Sequence, residues 1–91
     1  MFLLNAFSLQ MVDTPATCKF TEVSELPSGL ESAIGHETTA RLLGVPFNRI
    51  SVHLNKGDTA YIAQPMGQRL PEGATELPDG CWIKYIKVEV S

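Results

Sequence analysis

Apolar and polar positions alternate in several stretches of this chain and run at helical spacing in another. Met1-Phe2-Leu3-Leu4 opens an apolar run that fades at Asn5-Ala6-Phe7, so residues 1–7 predict a buried first strand. After the turn signals Asp13-Thr14-Pro15, Thr17-Cys18-Lys19-Phe20-Thr21-Glu22-Val23 alternates as a second strand. Ser24 is placed to cap a short helical stretch, which Pro27 and Gly29 keep brief. Residues 35–43 predict the main helix, with Ala40, Leu42 and Leu43 turned inward and Gly44 as its stop. Along 48–54, Ile50, Val52 and Leu54 share one side while Arg49, Ser51 and His53 share the other. Asn55-Lys56-Gly57-Asp58 then reads as a turn, and 59–64 as the returning strand of a hairpin. Residues 71–80 hold two prolines and two glycines and predict a loop, and 81–90 a long final strand. Strands interleaved with one or two helices predict an α/β fold, one sheet with helical cover, in a single domain spanning 1–91.

Composition changes this picture in two ways. The chain is 44% hydrophobic and only 19% charged, enough to build a core and enough to leave apolar surface over, which favours a dimer. Seven basic against ten acidic residues give a formal charge of −3, which excludes a broad electrostatic surface for duplex DNA. Phosphate, if bound, must be met by a local pocket. No apolar run approaches the roughly 20 residues of a membrane span, and Met1-Phe2-Leu3-Leu4 lacks the basic flank of a signal peptide. Cys18 and Cys81 are in no C-x-x-C pair and are expected as free thiols in a reducing cytoplasm.

The chemistry concentrates in a few places. His36 follows Gly35 at the start of the main helix, where free N–H groups favour an anion, and Thr38 and Thr39 add hydroxyls on the same turn. The plain alternative is a helix cap with His36 satisfied by a nearby carbonyl. Arg69 and Glu72 flank Leu70-Pro71, where proline stiffens the turn and the arginine fork could engage two phosphate oxygens. A surface ion pair would explain them equally well. Asn5, Ser8, Gln64 and Gln68 stand near strand ends and could read adenine edges or ribose hydroxyls, or be ordinary strand-end polar residues. Gln10 is a weaker candidate on the same N-terminal segment, and His53 is expected to face solvent. Two histidines and two cysteines without ligand spacing predict neither a metal site nor a cofactor. Phosphate-loop and dinucleotide fingerprints are missing, and Cys18 has no assigned base to make it a nucleophile.

Four segments form a pattern: Leu4-Asn5-Ala6-Phe7-Ser8, Ala33-Ile34-Gly35-His36-Glu37-Thr38-Thr39-Ala40, Val45-Pro46-Phe47-Asn48-Arg49, and Gln64 followed by Gln68-Arg69-Leu70-Pro71-Glu72-Gly73. In this order and spacing they resemble the viral ring nucleases, anti-CRISPR proteins of archaeal viruses and phages with related proteins in bacteria. The resemblance implies a homodimer built on a mixed sheet of about five strands flanked by helices. It also implies a metal-independent phosphodiesterase that opens cyclic tetra-adenylate, the messenger of type III CRISPR defence, in the host cytoplasm. The ring would lie across the dimer interface. One departure stands out: several relatives carry a fuller helix after the Gln-Arg-Leu-Pro-Glu-Gly segment, where residues 75–79 leave room only for a turn.

On this reading the substrate's own 2′-hydroxyl attacks phosphorus and leaves a 2′,3′-cyclic phosphate. His36 is expected as general acid, since histidine is the side chain that titrates near neutral pH. Arg69 would stabilise the phosphorane, and Glu72 would orient Arg69 or sustain a charged His36. Asn5, Ser8, Gly35, Thr38, Thr39, Gln64 and Gln68 are the expected substrate contacts. Arg49 is expected to pair across the sheet in a structural role. Two other classes stay open: a non-catalytic sponge for a cyclic nucleotide, and a dimeric regulator that binds a protein partner.

Overall fold

The computed structural model describes residues 1–13, 15–68 and 73–91. Five strands form one mixed sheet: β1 (Phe2–Leu4), β2 (Cys18–Val23), β3 (Glu31–Ala33), β4 (Thr59–Met66) and β5 (Trp82–Val90), in the spatial order β2-β5-β4-β1-β3. β3, β1 and β4 run parallel, whereas β5 is antiparallel to both β4 and β2. The α-helix of the described residues, α1 (Glu37–Leu43), follows β3 directly. A 3-10 turn at Leu9–Met11 interrupts the N-terminal segment.

Alternation along the strands divides the apolar residues between two clusters, one on each face. Leu4, Ala60, Ile62, Val88 and Val90 fill one face, with Val52 and Leu54 packed over them. Leu3, Ile34, Ala63 and Ala40 of α1 fill the other, supported by Leu26, Leu30, Leu43 and Tyr85. Ile34 and Val88 are fully buried, each stabilising the fold by roughly 1.5–3 kcal/mol over an exposed side chain.

Three expectations are corrected. Residues 48–54 are extended but form no strand: Leu54 makes a lone bridge to Val12, its amide bonding the Met11 carbonyl at 2.7 Å. The hairpin fails because β1 and β5 already occupy both edges of β4. The alternation instead serves a segment lying on the sheet face, with Val52 and Leu54 buried and Ile50 47% exposed. Residues 24–30 are not helical, in keeping with Pro27 and with Gly29 at φ 81°. They lead into β3, whose three residues Glu31, Ser32 and Ala33 are too few and too polar to show a strand pattern. In α1 the buried residues are Thr38, Thr39 and Ala40, while Leu42 and Leu43 are half-buried. Gly44 caps the helix at φ 70°, as expected of it. Both cysteines are free thiols.

After β4, Gly67 turns the chain at φ 94°, and a Cβ there would collide with the carbonyl oxygen of Gly80 and lie 3.1 Å from Cys81 Cα. Two backbones thus close the neck of the segment between β4 and β5. Gly67→Ala combines positive-φ strain with overpacking and is expected to cost about 2–4 kcal/mol. Gly57, at φ 93° with nothing within 4 Å, bears only the strain. Thermal denaturation checks this: Gly67→Ala should lower Tm well below Gly57→Ala, and equal Tm values would remove the close approach as the cause.

Candidate active site

Parallel strands collect polar groups at their C-terminal ends, and here three such ends lie side by side. Asn5 follows β1, Gly35 and His36 follow β3, and Gln64 and Gln68 lie at and beyond the end of β4. The first two ends meet directly. Asn5 Oδ1 accepts the Gly35 amide at 2.9 Å, across thirty positions of sequence. The Gly35 carbonyl accepts from Arg49 Nε at 3.2 Å and from Arg49 Nη2 at 3.1 Å. The Arg49 guanidinium also sits 5.6 Å from the centre of the Phe47 ring, in cation–π range.

Arg49 reaches this place because residues 46–48 dock beside 32–34. The Asn48 amide donates to the Ile34 carbonyl at 2.9 Å, and Asn48 Nδ2 donates to the Ser32 carbonyl at 2.8 Å. Ser32, 9% exposed, donates its hydroxyl to the Pro46 carbonyl at 2.6 Å. Sequence reasoning left Phe47 and Asn48 without a role and sent Arg49 across the sheet. Arg49 instead donates to a single carbonyl, that of Gly35. The short Val45-Pro46-Phe47-Asn48-Arg49 segment was the available signal.

His36 is the N-cap of α1, with extended backbone at φ −120° and ψ 115°. Its Nδ1 accepts the Thr39 amide at 3.2 Å and lies 3.0 Å from Thr39 Oγ1. The plain cap reading thus holds in part: the partner is a backbone amide of the first turn, not a carbonyl. Thr39 is 3% exposed and Thr38 5%, so neither hydroxyl lies open at the surface. Thr38 Oγ1 accepts the Gly73 amide at 3.2 Å, which ties the segment between β4 and β5 to the helix start.

The expected site residues therefore divide. Asn5, Gly35, His36, Thr38 and Thr39 are brought together, but largely through bonds to one another. The Gly35 amide, expected as a phosphate donor, is committed to Asn5. Ser8 Oγ accepts the Gln10 amide at 3.3 Å and caps the Leu9–Met11 turn. Gln64 is exposed on the face it shares with Ala60 and Ile62, opposite the face that α1 covers. One chain does not bring it to His36. Gln68 is exposed, and its carbonyl accepts Cys81 Sγ at 3.5 Å. Arg69 and Glu72 lie outside the described residues. His53 is half-exposed, with Nε2 3.3 Å from Asp13 Oδ1.

Among the described residues, no three or more His, Cys, Asp and Glu side chains gather as a metal site. No described helix is long and apolar enough to cross a membrane. A depression of about 380 Å³ lined by Met1, Phe2, His53, Leu54, Gly57, Asp58 and Thr59 lies by the N-terminal ends of β1 and β4, away from His36.

Among solved structures, the chain is similar to B116 of Sulfolobus turreted icosahedral virus (STIV), with a TM-score of 0.73 and 28% identity over 97% of each chain. Curated proteins give no match. The STIV B116-like family model matches residues 1–80, a span holding both the sheet end and the helix start described above. With most of its length inside that match, the chain belongs to the STIV B116-like family, one of whose folds comes from a virus.

Proposed function

We propose that this protein is a ring nuclease: a metal-independent phosphodiesterase that opens cyclic tetra-adenylate into linear di-adenylates and so switches off type III CRISPR signalling. One observation carries the reading. The four segments of the resemblance, scattered from residue 4 to residue 73, are joined by hydrogen bonds: Asn5 to Gly35, Arg49 to Gly35, and Gly73 to Thr38. All of these bonds end on Gly35 or Thr38, within two residues of the exposed His36. Family membership and a viral structural relative support the same reading.

The mechanism follows from what the chain can supply. The ligand's 2′-oxygen bonds to the adjacent phosphorus, the bond from phosphorus to the 5′-oxygen breaks, and a 2′,3′-cyclic phosphate remains. His36 acts on the departing 5′-oxygen through Nε2, since Nδ1 is occupied by Thr39. Arg69 neutralises charge on phosphorus and Glu72 orients Arg69. Asn5, with its Oδ1 on Gly35, keeps Nδ2 for the ligand. A cyclic tetranucleotide carries its own symmetry, so a two-fold dimer presents equivalent sites to opposite linkages. The second protomer also answers the charge problem. A chain of net charge −3 must hold four phosphates with a few donors, and dimerisation doubles them around one ring.

Cyclic tetra-adenylate incubated with the purified protein in EDTA should yield linear products ending in 2′,3′-cyclic phosphate. Retention of the intact ring would identify a sponge, and absence of binding would leave the regulator. Light scattering with calorimetric titration is expected to give a homodimer that binds one ring. A monomer binding one ring per chain would overturn the shared pocket. Arg69→Ala should weaken both affinity and rate, because the phosphate it holds is the one attacked. Replacing Lys56, exposed in its turn, should alter neither.

A further inference from the structure

We infer that Asp79-Gly80 is a site of spontaneous backbone isomerisation, held in check by its own turn, whose product unlocks the neck between β4 and β5. The inference goes beyond the ring-nuclease reading and does not depend on it. Of the three aspartates and three asparagines in the chain, Asp79 is the one followed by glycine. A residue without a Cβ leaves its amide nitrogen open to the preceding carboxyl group, whereas the β-branched threonines after Asp13 and Asp58 crowd it. Those two carboxylates are also engaged elsewhere. Asp13 lies 3.3 Å from His53, and Asp58 accepts the Asn55 amide at 2.8 Å. Asp79 is exposed, and no described residue bonds its carboxylate or the Gly80 amide.

In the reaction the Gly80 nitrogen bonds to Cγ of Asp79. Its proton and the carboxyl hydroxyl leave as water, closing a succinimide. Water then re-enters at either carbonyl. One addition restores aspartate; the other leaves isoaspartate, with the main chain running through Cβ and the α-carboxylate hanging outside it. The mass is unchanged, and no oxidant or cofactor is consumed. The turn sets the rate. The Cys81 amide donates to the Pro78 carbonyl at 3.1 Å, and Gly80 stands at φ 81° while no residue other than glycine has positive φ. This is a type II turn, which holds ψ of Asp79 near about +120°. A five-membered ring needs the Gly80 nitrogen eclipsed with Cβ, roughly a third of a rotation from that setting. Ring closure therefore waits until the turn opens and the bond between Cys81 and Pro78 breaks. The product then bears on the neck. The Gly80 carbonyl packs where Gly67 has no Cβ, with Cys81 Cα 3.1 Å from the same point. Isoaspartate adds one main-chain carbon directly before Gly80. A contact between two backbones has no side chain to give way, so the neck cannot reclose as before.

Ageing the full chain in warm neutral buffer, either folded or unfolded in guanidinium chloride, tests this. Isoaspartate is then located by isoaspartyl methyltransferase labelling and electron-transfer fragmentation of the digested protein. It should collect at Asp79, several-fold faster in the unfolded chain than in the folded one. Gly67→Ala, which disturbs the neck, should raise the rate in buffer above that of the wild type. Asp79→Glu should show no product there, since the same closure would have to make a six-membered ring. The isomer formed in the folded protein, separated by chromatography, should melt below the unmodified chain. No isoaspartate at Asp79 even after unfolding, or equal rates folded and unfolded, would overturn the inference. So would an isomer with unchanged Tm, which would show that the neck tolerates the longer chain. None of these results bears on the ring-nuclease reading, which cleavage of cyclic tetra-adenylate decides separately.

Discussion

Gly35 is held at both its backbone groups, and the site is organised around that grip. Its amide goes to a side chain from the first strand, and its carbonyl to a guanidinium from fourteen residues downstream. A Cβ on Gly35 would meet Arg49 Cγ at 3.4 Å, an ordinary contact. The site therefore depends on the amide and carbonyl of this residue more than on the absence of a side chain. The grip adds to the bond from the Asn48 amide to the Ile34 carbonyl in fixing the chain between β3 and His36. With it, the ring enters the first turn of α1 already placed to cap it.

Under the proposed function, the same economy bears on how an acidic protein would meet an anionic ligand. At the sheet end and helix start the polar groups bond one another, and no buried side-chain nitrogen or oxygen among the described residues is left without a partner. Asn5 and Arg49, both bonded to Gly35, are held in place there. Preorganised donors of this kind gain more per bond than mobile surface lysines, because their ordering cost was met on folding.

Much of this was legible in the chain, unevenly. β2, β4 and β5 show themselves through alternation, and α1 through its stop at Gly44. The hairpin at 48–54 misled because alternation reports a buried side and an exposed side, not a hydrogen-bonded neighbour. Val52 and Leu54 satisfy it by lying on the sheet. β3 was silent because three residues cannot establish a period. At the site, residue types pointed to His36, Asn5 and the threonines. What they could not convey was direction. Thr38 and Thr39 read as hydroxyls for a ligand, yet helix geometry turns both inward, one to the Gly73 amide and one beneath the imidazole. Arg49 was hidden by its target, since a bond to a backbone carbonyl leaves no trace in the partner's residue type.

Phe2-Leu3-Leu4 has one further property. Leu3 and Leu4 are 3% and 2% exposed, on opposite faces of the sheet. A strand that is apolar at every position could slide by one residue and still fill both clusters, so hydrophobicity alone does not set its register. Such a slip would turn Asn5 to the other face and take its amide oxygen away from Gly35. The bond between them fixes the strand as much as it builds the site. In β1 the leucines supply the adhesion, and the asparagine sets the alignment.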